Sequence, residues 1–359
     1  MTKSCQAFYI YLTFFTSSFS FAFEGVGVMV LDCPVDYRHS LIAPVIDTTA
    51  MALYSFTAND GRNVNWKELT DQYSRELVRG VHPSLLEKIL NHFDHLMDEE
   101  KKTESFKAEY SYAPMSEIKL IQQVENRIEK QIDIYLHGTH IAGLAVKGLS
   151  SVRLISAPVF SAHGFALQTL FDSGLKSEEY ERGKRNLATV SRAISEQEIK
   201  VVNMSFNRVW SSSIEESLSE ILPLFIEHPD TIFVMSAGNN SIDLSSLKGA
   251  SGKVFPKSGV QNVLLVAALD EEGELHSSSD FGVGVVDIAA QGGSVVSARS
   301  GGGTIHMEGT SVAASVVTRK IVQIYSEHPE LNAFQAIRFL LDREPLRNVN
   351  LIGKVTEGR

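Results

Sequence analysis

The sequence predicts an α/β fold in which a central, mostly parallel sheet carries helices on both faces. Short, fully apolar runs recur along the chain, a pattern typical of strands buried on both sides. Amphipathic or small-residue helical patterns separate these runs, as right-handed crossovers between parallel strands require. With 43% hydrophobic and 21% charged residues among 359, the chain can also bury a large core, in one domain or two.

Six apolar runs are the candidate strands, in chain order 26–31, 152–159, 199–204, 231–235, 263–268 and 285–289. In a parallel sheet of this kind, functional side chains gather at the carboxyl ends of the strands. Asp32 follows the first run directly. His137 and Ser311 are instead predicted to begin helices, whose exposed amide groups favour negative charge nearby.

The N-terminal residues 1–22 are apolar and Ser-rich and carry one charged residue, Lys3. This composition, with the small residues Ser20 and Ala22 before a cleavage point, predicts a secretory signal peptide. A membrane anchor is the alternative, but the apolar run is short for a membrane span and contains Thr and Ser. Removal of the leader predicts a secreted or periplasmic protein that has no stable membrane span.

The charge and cysteine content narrow the possible partners and compartments. The formal net charge is −10, and loss of Lys3 with the leader makes the mature chain more negative, so nucleic acid is a poor partner. Cys5 would leave with the leader, and Cys33 then has no intramolecular disulfide partner. Cys33 is a buried small residue or a free thiol, and its place directly after a strand favours burial. Export without disulfides fits a bacterial-type secreted or periplasmic protein.

The stretch of about 43–130 departs from the alternation of strands and helices. It predicts a helical insertion that interrupts a domain spanning 23–359. Three stripes of apolar residues recur in it at helical spacing, and the clearest follows Pro83 and consists of Leu86, Leu90, Phe93 and Met97. Such an insertion either packs on the core or forms a lid or partner-binding subdomain beside the cleft.

Three residues far apart in the chain have the side chains that acyl transfer needs. A serine hydroxyl such as that of Ser311 is a poor nucleophile at neutral pH, so an imidazole must take its proton. His137 supplies the imidazole, and Asp32 supplies the carboxylate that fixes its tautomer and stabilises its cation. The alternative for Ser311 is an ordinary helix N-cap.

Five motifs in the order of the chain resemble those of the subtilisin-like serine peptidases. The order Asp, His, Ser is itself the subtilisin order. The motifs are the strand ending at Asp32, His137-Gly-Thr-His-Ile-Ala-Gly143, Val202-Asn-Met-Ser-Phe206, Val234-Met-Ser-Ala-Gly-Asn239 and Gly309-Thr-Ser-Val-Ala-Ala314. The resemblance implies a three-layer subtilisin-like fold, with a central mostly parallel sheet and helices on both faces.

The same resemblance implies roles for residues outside the triad. Asn239 is the expected oxyanion donor, although its surroundings also have the composition of a turn. The expected substrate-binding residues are Ser205, Phe206, Asn207 and Gly238. Asn207 stands where relatives have glycine, so the family's primary specificity does not transfer to this chain.

No cofactor is required for this chemistry. Structural calcium supports many relatives, and a calcium site is left open here, with no ligand loop of this sequence assigned to it. His140 lies three residues after His137, and without a third ligand the pair is interpreted as non-metal, with His140 structural. No residue is therefore assigned to a metal.

These observations predict an exported serine endopeptidase that hydrolyses peptide bonds in proteins or peptides through an acyl-enzyme. The alternative is a catalytically silent subtilisin-fold protein that binds peptides in the cleft or a partner at the insertion. A general esterase is less well supported, because Ser311 lacks the second glycine of a Gly-x-Ser-x-Gly elbow.

Overall fold

The computed structural model describes residues 25–56, 136–158, 178–206, 214–246 and 260–343, and these contain a six-stranded parallel sheet. The strands lie in the order β2-β1-β3-β4-β5-β6, and every neighbouring pair is parallel. Their bounds are β1 Val26–Asp32, β2 Val152–Pro158, β3 Ile199–Met204, β4 Ile232–Ser236, β5 Val263–Leu269 and β6 Ile288–Gln291. The predicted α/β fold with a central parallel sheet is confirmed.

The strands agree closely with the apolar runs because nearly all of their side chains are buried, as strands covered on both faces must be. The largest displacement concerns the sixth run, which was predicted to begin at Val285. Val285 and Val286 instead lie in a turn, in which both backbone amides donate to the carbonyl of Gly282. Both side chains are buried all the same, so their hydrophobicity alone did not distinguish turn from strand.

Six α-helices lie within the described residues. They are α1 Thr48–Leu53, α2 at 136–146, α3 Glu178–Glu196, α4 Ile214–Glu227, α5 Thr310–Glu327 and α6 Ala333–Arg343. Helix α5 packs along the sheet against β1 and β3 to β6, and α6 packs against α5. Helices α3 and α4 contact each other.

Helices cover both faces of the sheet, as one side chain on each face shows. Asn203 of β3 donates from its amide to the hydroxyl of Thr318 on α5, at 3.0 Å. Phe233 of β4 pairs with the residue before Asn203 and therefore points to the opposite face, where its ring packs on Phe225 of α4. The structure thus has the three layers expected from the resemblance.

A short antiparallel hairpin, β7 Val295–Ala298 and β8 Thr304–Met307, joins β6 to α5 and was not predicted. Its turn contains three glycines at positive φ, from Gly301 to Gly303, a backbone region that side chains disfavour. The hairpin packs against α2, since the hydroxyl of Ser297 donates to the carbonyl of His140 at 2.9 Å.

The sheet order places a crevice at the end of β1. The chain passes from β1 to β2 on one side and then returns to β3 on the other side of β1. Ligand sites of open α/β sheets lie at the carboxyl ends of the strands where the order reverses in this way. Asp32 is the last residue of β1, so the fold itself places this carboxylate at the expected site.

Several sequence predictions concern residues outside those described, namely the signal peptide 1–22, Asn207 and most of the insertion at 43–130. They stay predictions. The first part of that insertion is described. Ile46 forms a parallel bridge to Leu154 of β2, and Ala50 and Met51 of α1 are buried in the core. None of the helices in the described ranges is both long and apolar enough to cross a membrane.

Candidate active site

Asp32 and His137 form a short hydrogen bond at the carboxyl end of β1. Asp32 is 1% exposed, and its Oδ1 lies 2.6 Å from Nδ1 of His137. The backbone amide of Cys33 donates to the same oxygen at 2.6 Å. Because the carboxylate oxygen accepts from Nδ1–H, Nε2 of the neutral imidazole is left as a base. The His137 side chain is 25% exposed, so the base is open to solvent while the acid is not.

The motif around His137 is explained by close packing of α2 on the segment after Asp32. A Cβ at Gly138 would overlap the carbonyl oxygen of Cys33, so this position accepts only glycine without backbone movement. The next residue, Thr139, accepts a hydrogen bond from the backbone amide of Asp36 at 2.9 Å. Together these contacts hold the base against the acid.

His140 lies in the contact between α2 and the hairpin. Its side chain is fully buried, and Nε2 lies 2.9 Å from the carbonyl oxygen of Val295. Burial is the main cause that lowers the pKa of His140 from its ordinary 6.5 to about 4, so the ring stays neutral at physiological pH. The contact is one of packing, in keeping with a structural role.

Ser311 is the second residue of α5 and lies half-buried at its N-terminus. The helix is preceded by Gly309, whose φ of 115° is unfavourable for other residues. Ser311 forms two hydrogen bonds with Ser205, the residue after β3. The Ser311 hydroxyl donates to the Ser205 carbonyl at 2.9 Å, and the Ser205 hydroxyl donates to the Ser311 carbonyl at 3.0 Å.

Asn239 lies beside the start of α5, beyond the carboxyl end of β4. Its Oδ1 accepts from both the backbone amide and the hydroxyl of Thr310, each at 2.9 Å. With the oxygen held on the helix, the Nδ2 group is the end of the amide that is available to another acceptor. Asn239 is exposed, and a Cβ built on Gly309 would lie 3.0 Å from its Nδ2. Its donor therefore lies at the helix start that carries Ser311.

Three supporting residues, Thr139, Thr310 and Asp280, were not identified as such from the sequence. Thr310 is fully buried and also accepts from the backbone amide of Gly238 at 3.1 Å. Asp280 is fully buried, and its Oδ1 accepts the backbone amides on either side of Ser241, in the turn that follows Asn239. One indication of these roles was present in the sequence, namely that Thr310 is adjacent to Ser311. The hydrogen bonds of all three residues join distant parts of the chain, which the sequence does not show.

Asp36 lies in the loop that follows the catalytic acid and is buried. Its two carboxylate oxygens accept from the backbone amides of Arg38, at 3.1 Å, and of Gly301 in the hairpin turn, at 2.9 Å. The loop after the acid is thereby tied to the hairpin.

The predicted substrate-binding residues are placed as follows. Ser205 is 2% exposed and is engaged with Ser311, and Gly238 is buried beside Thr310. Phe206 is half-buried, and Asn207 lies outside the described residues. Their part in binding a substrate stays a prediction.

Known proteins that are similar to this chain show its family. The sequence matches the model of the subtilase family over residues 24–344. It is similar to a subtilase cytotoxin subunit of Escherichia coli, with 28% identity over 65% of this chain and 69% of that protein. It is also similar to thermophilic serine proteinase of Bacillus sp. (strain AK1), with 25% identity over 51% of this chain and 41% of that protein.

The chain spans less than half of the length of the Bacillus proteinase. Among solved structures, it is similar to a cold adapted subtilisin-like serine proteinase, with 18% identity, a TM-score of 0.48, and coverage of 90% of this chain and 84% of that chain. The family match spans nearly the whole chain. The chain belongs to the subtilase family, whose members are serine endopeptidases, as its sequence predicts.

Proposed function

We propose that this chain is an exported endopeptidase in which Ser311 attacks a peptide carbonyl, His137 moves the proton and Asp32 holds His137. The single observation that carries this proposal is the 2.6 Å contact between Asp32 and His137. A carboxylate that is 1% exposed and a partly exposed imidazole form the pair that activates a serine.

The first step requires the Ser311 hydroxyl to change partner. It donates to the Ser205 carbonyl here, and for attack it must turn its proton to Nε2 of His137. Catalytic hydrogen bonds of this kind often form only when substrate is bound. His137 then gives the proton to the leaving amine. In the second half of the reaction His137 takes a proton from water, which attacks the acyl-enzyme, and returns it to the Ser311 oxygen.

Two hydrogen-bond donors are available to stabilise the negatively charged oxygen of the tetrahedral intermediate. One is the backbone amide of Ser311, which has no intrahelical acceptor in the first turn of α5. The other is Nδ2 of Asn239, whose opposite end is held by two bonds to Thr310. Donors fixed before the reaction stabilise such an oxyanion without reorganisation.

The substrates are proteins or peptides, which the proposed cleft takes up in contact with Ser205, Phe206, Asn207 and Gly238. One relative is named as part of a multi-subunit cytotoxin. A partner at the predicted insertion of 43–130 accordingly remains part of the proposal. Export rests on the composition of residues 1–22.

The test is cleavage of a denatured protein and of a mixed peptide library, read by mass spectrometry. The Ser311→Ala variant should lose cleavage, and Asp32→Asn should lose about 10⁴-fold in kcat because the imidazole no longer holds the right tautomer. Ser315→Ala is the matched control, since Ser315 lies one turn later on α5 and its hydroxyl donates to the Ser311 carbonyl. Folded wild type that cleaves nothing, yet binds peptides, would support the silent binding protein instead.

A further inference from the structure

The residue after the catalytic acid brings a thiol to the Asp32 and His137 pair. Cys33 is 5% exposed and has no disulfide partner in the described part of the chain. One ligand atom each from Asp32, Cys33 and His137 all lie within 4.8 Å of one another. This is the one group of three or more His, Cys, Asp or Glu residues with that geometry among the described residues.

One buried atom of this group, Oδ2 of Asp32, lacks an N–H or O–H donor in the described part of the chain. Oδ1 of Asp32 accepts two N–H hydrogen bonds, whereas Oδ2 is buried and accepts none from an N–H or O–H group of the described residues. A further hydrogen bond joins the carboxylate to the Cys33 thiol, which is a weak donor. A buried carboxylate oxygen without a donor is costly, because water no longer solvates it. The negative charge next to the thiol therefore favours a positive ligand.

The three ligand types suit Zn²⁺ better than a hard cation. Zinc binds thiolate at about 2.3 Å and imidazole or carboxylate at about 2.0–2.2 Å, in a tetrahedron. Ligand atoms around such an ion are about 3.3–3.6 Å apart by that geometry. The group is already within 4.8 Å, so small side-chain movements close it. His137 is 25% exposed, and this opens a path from the cleft.

We propose that Asp32, Cys33 and His137 form a binding site for Zn²⁺ or a similar borderline-soft divalent cation, and that the bound cation switches the triad off. Three bonds to the metal form, from the Cys33 sulfur, Nδ1 of His137 and an Asp32 oxygen. The thiol proton passes to solvent, and the imidazole proton moves from Nδ1 to Nε2. No electron is transferred, and the fourth position of the metal is left to water.

The tautomer change is the physical cause of inhibition. With the metal on Nδ1, Nε2 carries the proton and has no lone pair to accept another from Ser311. The bond between Asp32 and His137 is also broken, so the acid no longer stabilises the imidazolium. This inhibitory consequence rests on the proposed peptidase function, whereas metal binding does not.

Binding is tested first in the full chain with Ser311→Ala, so that proteolysis plays no part. Calorimetric titration with Zn²⁺ should give one site, and titration in buffers of different ionisation enthalpy should show about one proton released per metal. Titration with Co²⁺ should produce the absorption of a thiolate-to-metal charge transfer. The added Cys33→Ser change should abolish this absorption and weaken Zn²⁺ binding by at least about 10- to 100-fold. Circular dichroism checks that each variant is folded.

Activity is then measured in the chain that retains Ser311. Zn²⁺ should inhibit peptide cleavage, EDTA should restore it, and the Cys33→Ser variant should resist inhibition when compared with its own metal-free rate. The proposal is overturned if Zn²⁺ binds the folded Cys33→Ser variant as tightly as the parent, or if no thiolate absorption appears. Zinc binding through Cys33 in a chain without any peptidase activity would instead overturn the proposed function and leave the metal site standing.

Discussion

The buried imidazole of His140 predicts a specific loss of stability in acid. The folded state holds its pKa at about 4, compared with 6.5 in an unfolded chain, chiefly because burial disfavours the charged ring. As the pH falls, the unfolded chain therefore takes up the proton first. The stability that the neutral ring contributes is fully present above pH 6.5, declines between pH 6.5 and 4, and is lost below that range.

The size of the effect follows from the two pKa values. Each pKa unit corresponds to about 1.4 kcal/mol, so full protonation of the unfolded chain costs about 3 kcal/mol of the free energy of unfolding. The slope in the middle of this range is about 1.4 kcal/mol per pH unit. The His140→Gln variant removes the titration, and its side-chain amide still offers a donor for the Val295 carbonyl.

Urea unfolding followed by circular dichroism, at pH values from about 4 to about 8, measures the free energy of unfolding. Both chains should carry Ser311→Ala to prevent self-digestion. The difference between the His140 chain and the His140→Gln variant should be constant above about pH 7 and should shift by about 3 kcal/mol on going to about pH 4. A difference that stays constant over the whole range would refute the argument from burial, since other groups that titrate are common to both chains.

Three further substitutions test the residues that hold the candidate active site in place. Thr310→Val removes the hydroxyl that donates to Asn239 and leaves the Gly238 amide without its acceptor. It should therefore lower the free energy of unfolding by about 1–3 kcal/mol and also lower kcat, and unchanged stability in urea would contradict this. Asn239→Ala should lower kcat about 10²- to 10³-fold with KM little changed, as steady-state kinetics can show, and a loss in KM alone would instead assign Asn239 to substrate binding. Gly138→Ala places a methyl group against the Cys33 carbonyl and should cost about 1–3 kcal/mol in thermal or urea unfolding, and full stability would show that α2 packs less closely there than the Cβ overlap requires.

The sheet was predictable because its physical signal is local. Strands such as β1 and β5 are buried on both faces, and a run of apolar residues marks them in the sequence itself. The hairpin β7 and β8 carries a weaker signal, since half-buried and exposed residues predominate in it and its turn is rich in glycine. It was therefore not distinguished from a loop.

The candidate site divides in the same way. Asp32, His137, Ser311 and Asn239 were predicted because each stands in a motif with its own composition. The roles of Thr310 and Asp280 depend on hydrogen bonds to residues 71 and 40 positions away, and no local pattern encodes such contacts. Likewise, Cys33 was predicted to be buried, and it is, but its proximity to His137 follows only from the packing of Gly138 on the end of β1.

The central claim is that Ser311 is an activated nucleophile, and a covalent label tests it most directly. The purified chain and its Ser311→Ala and Ser315→Ala variants are incubated with a fluorophosphonate, which traps activated serine, and are then weighed intact by mass spectrometry. We expect one adduct on the wild type and on Ser315→Ala, and none on Ser311→Ala. A folded, metal-free wild type that forms no adduct, or an adduct that persists in Ser311→Ala, would contradict the claim.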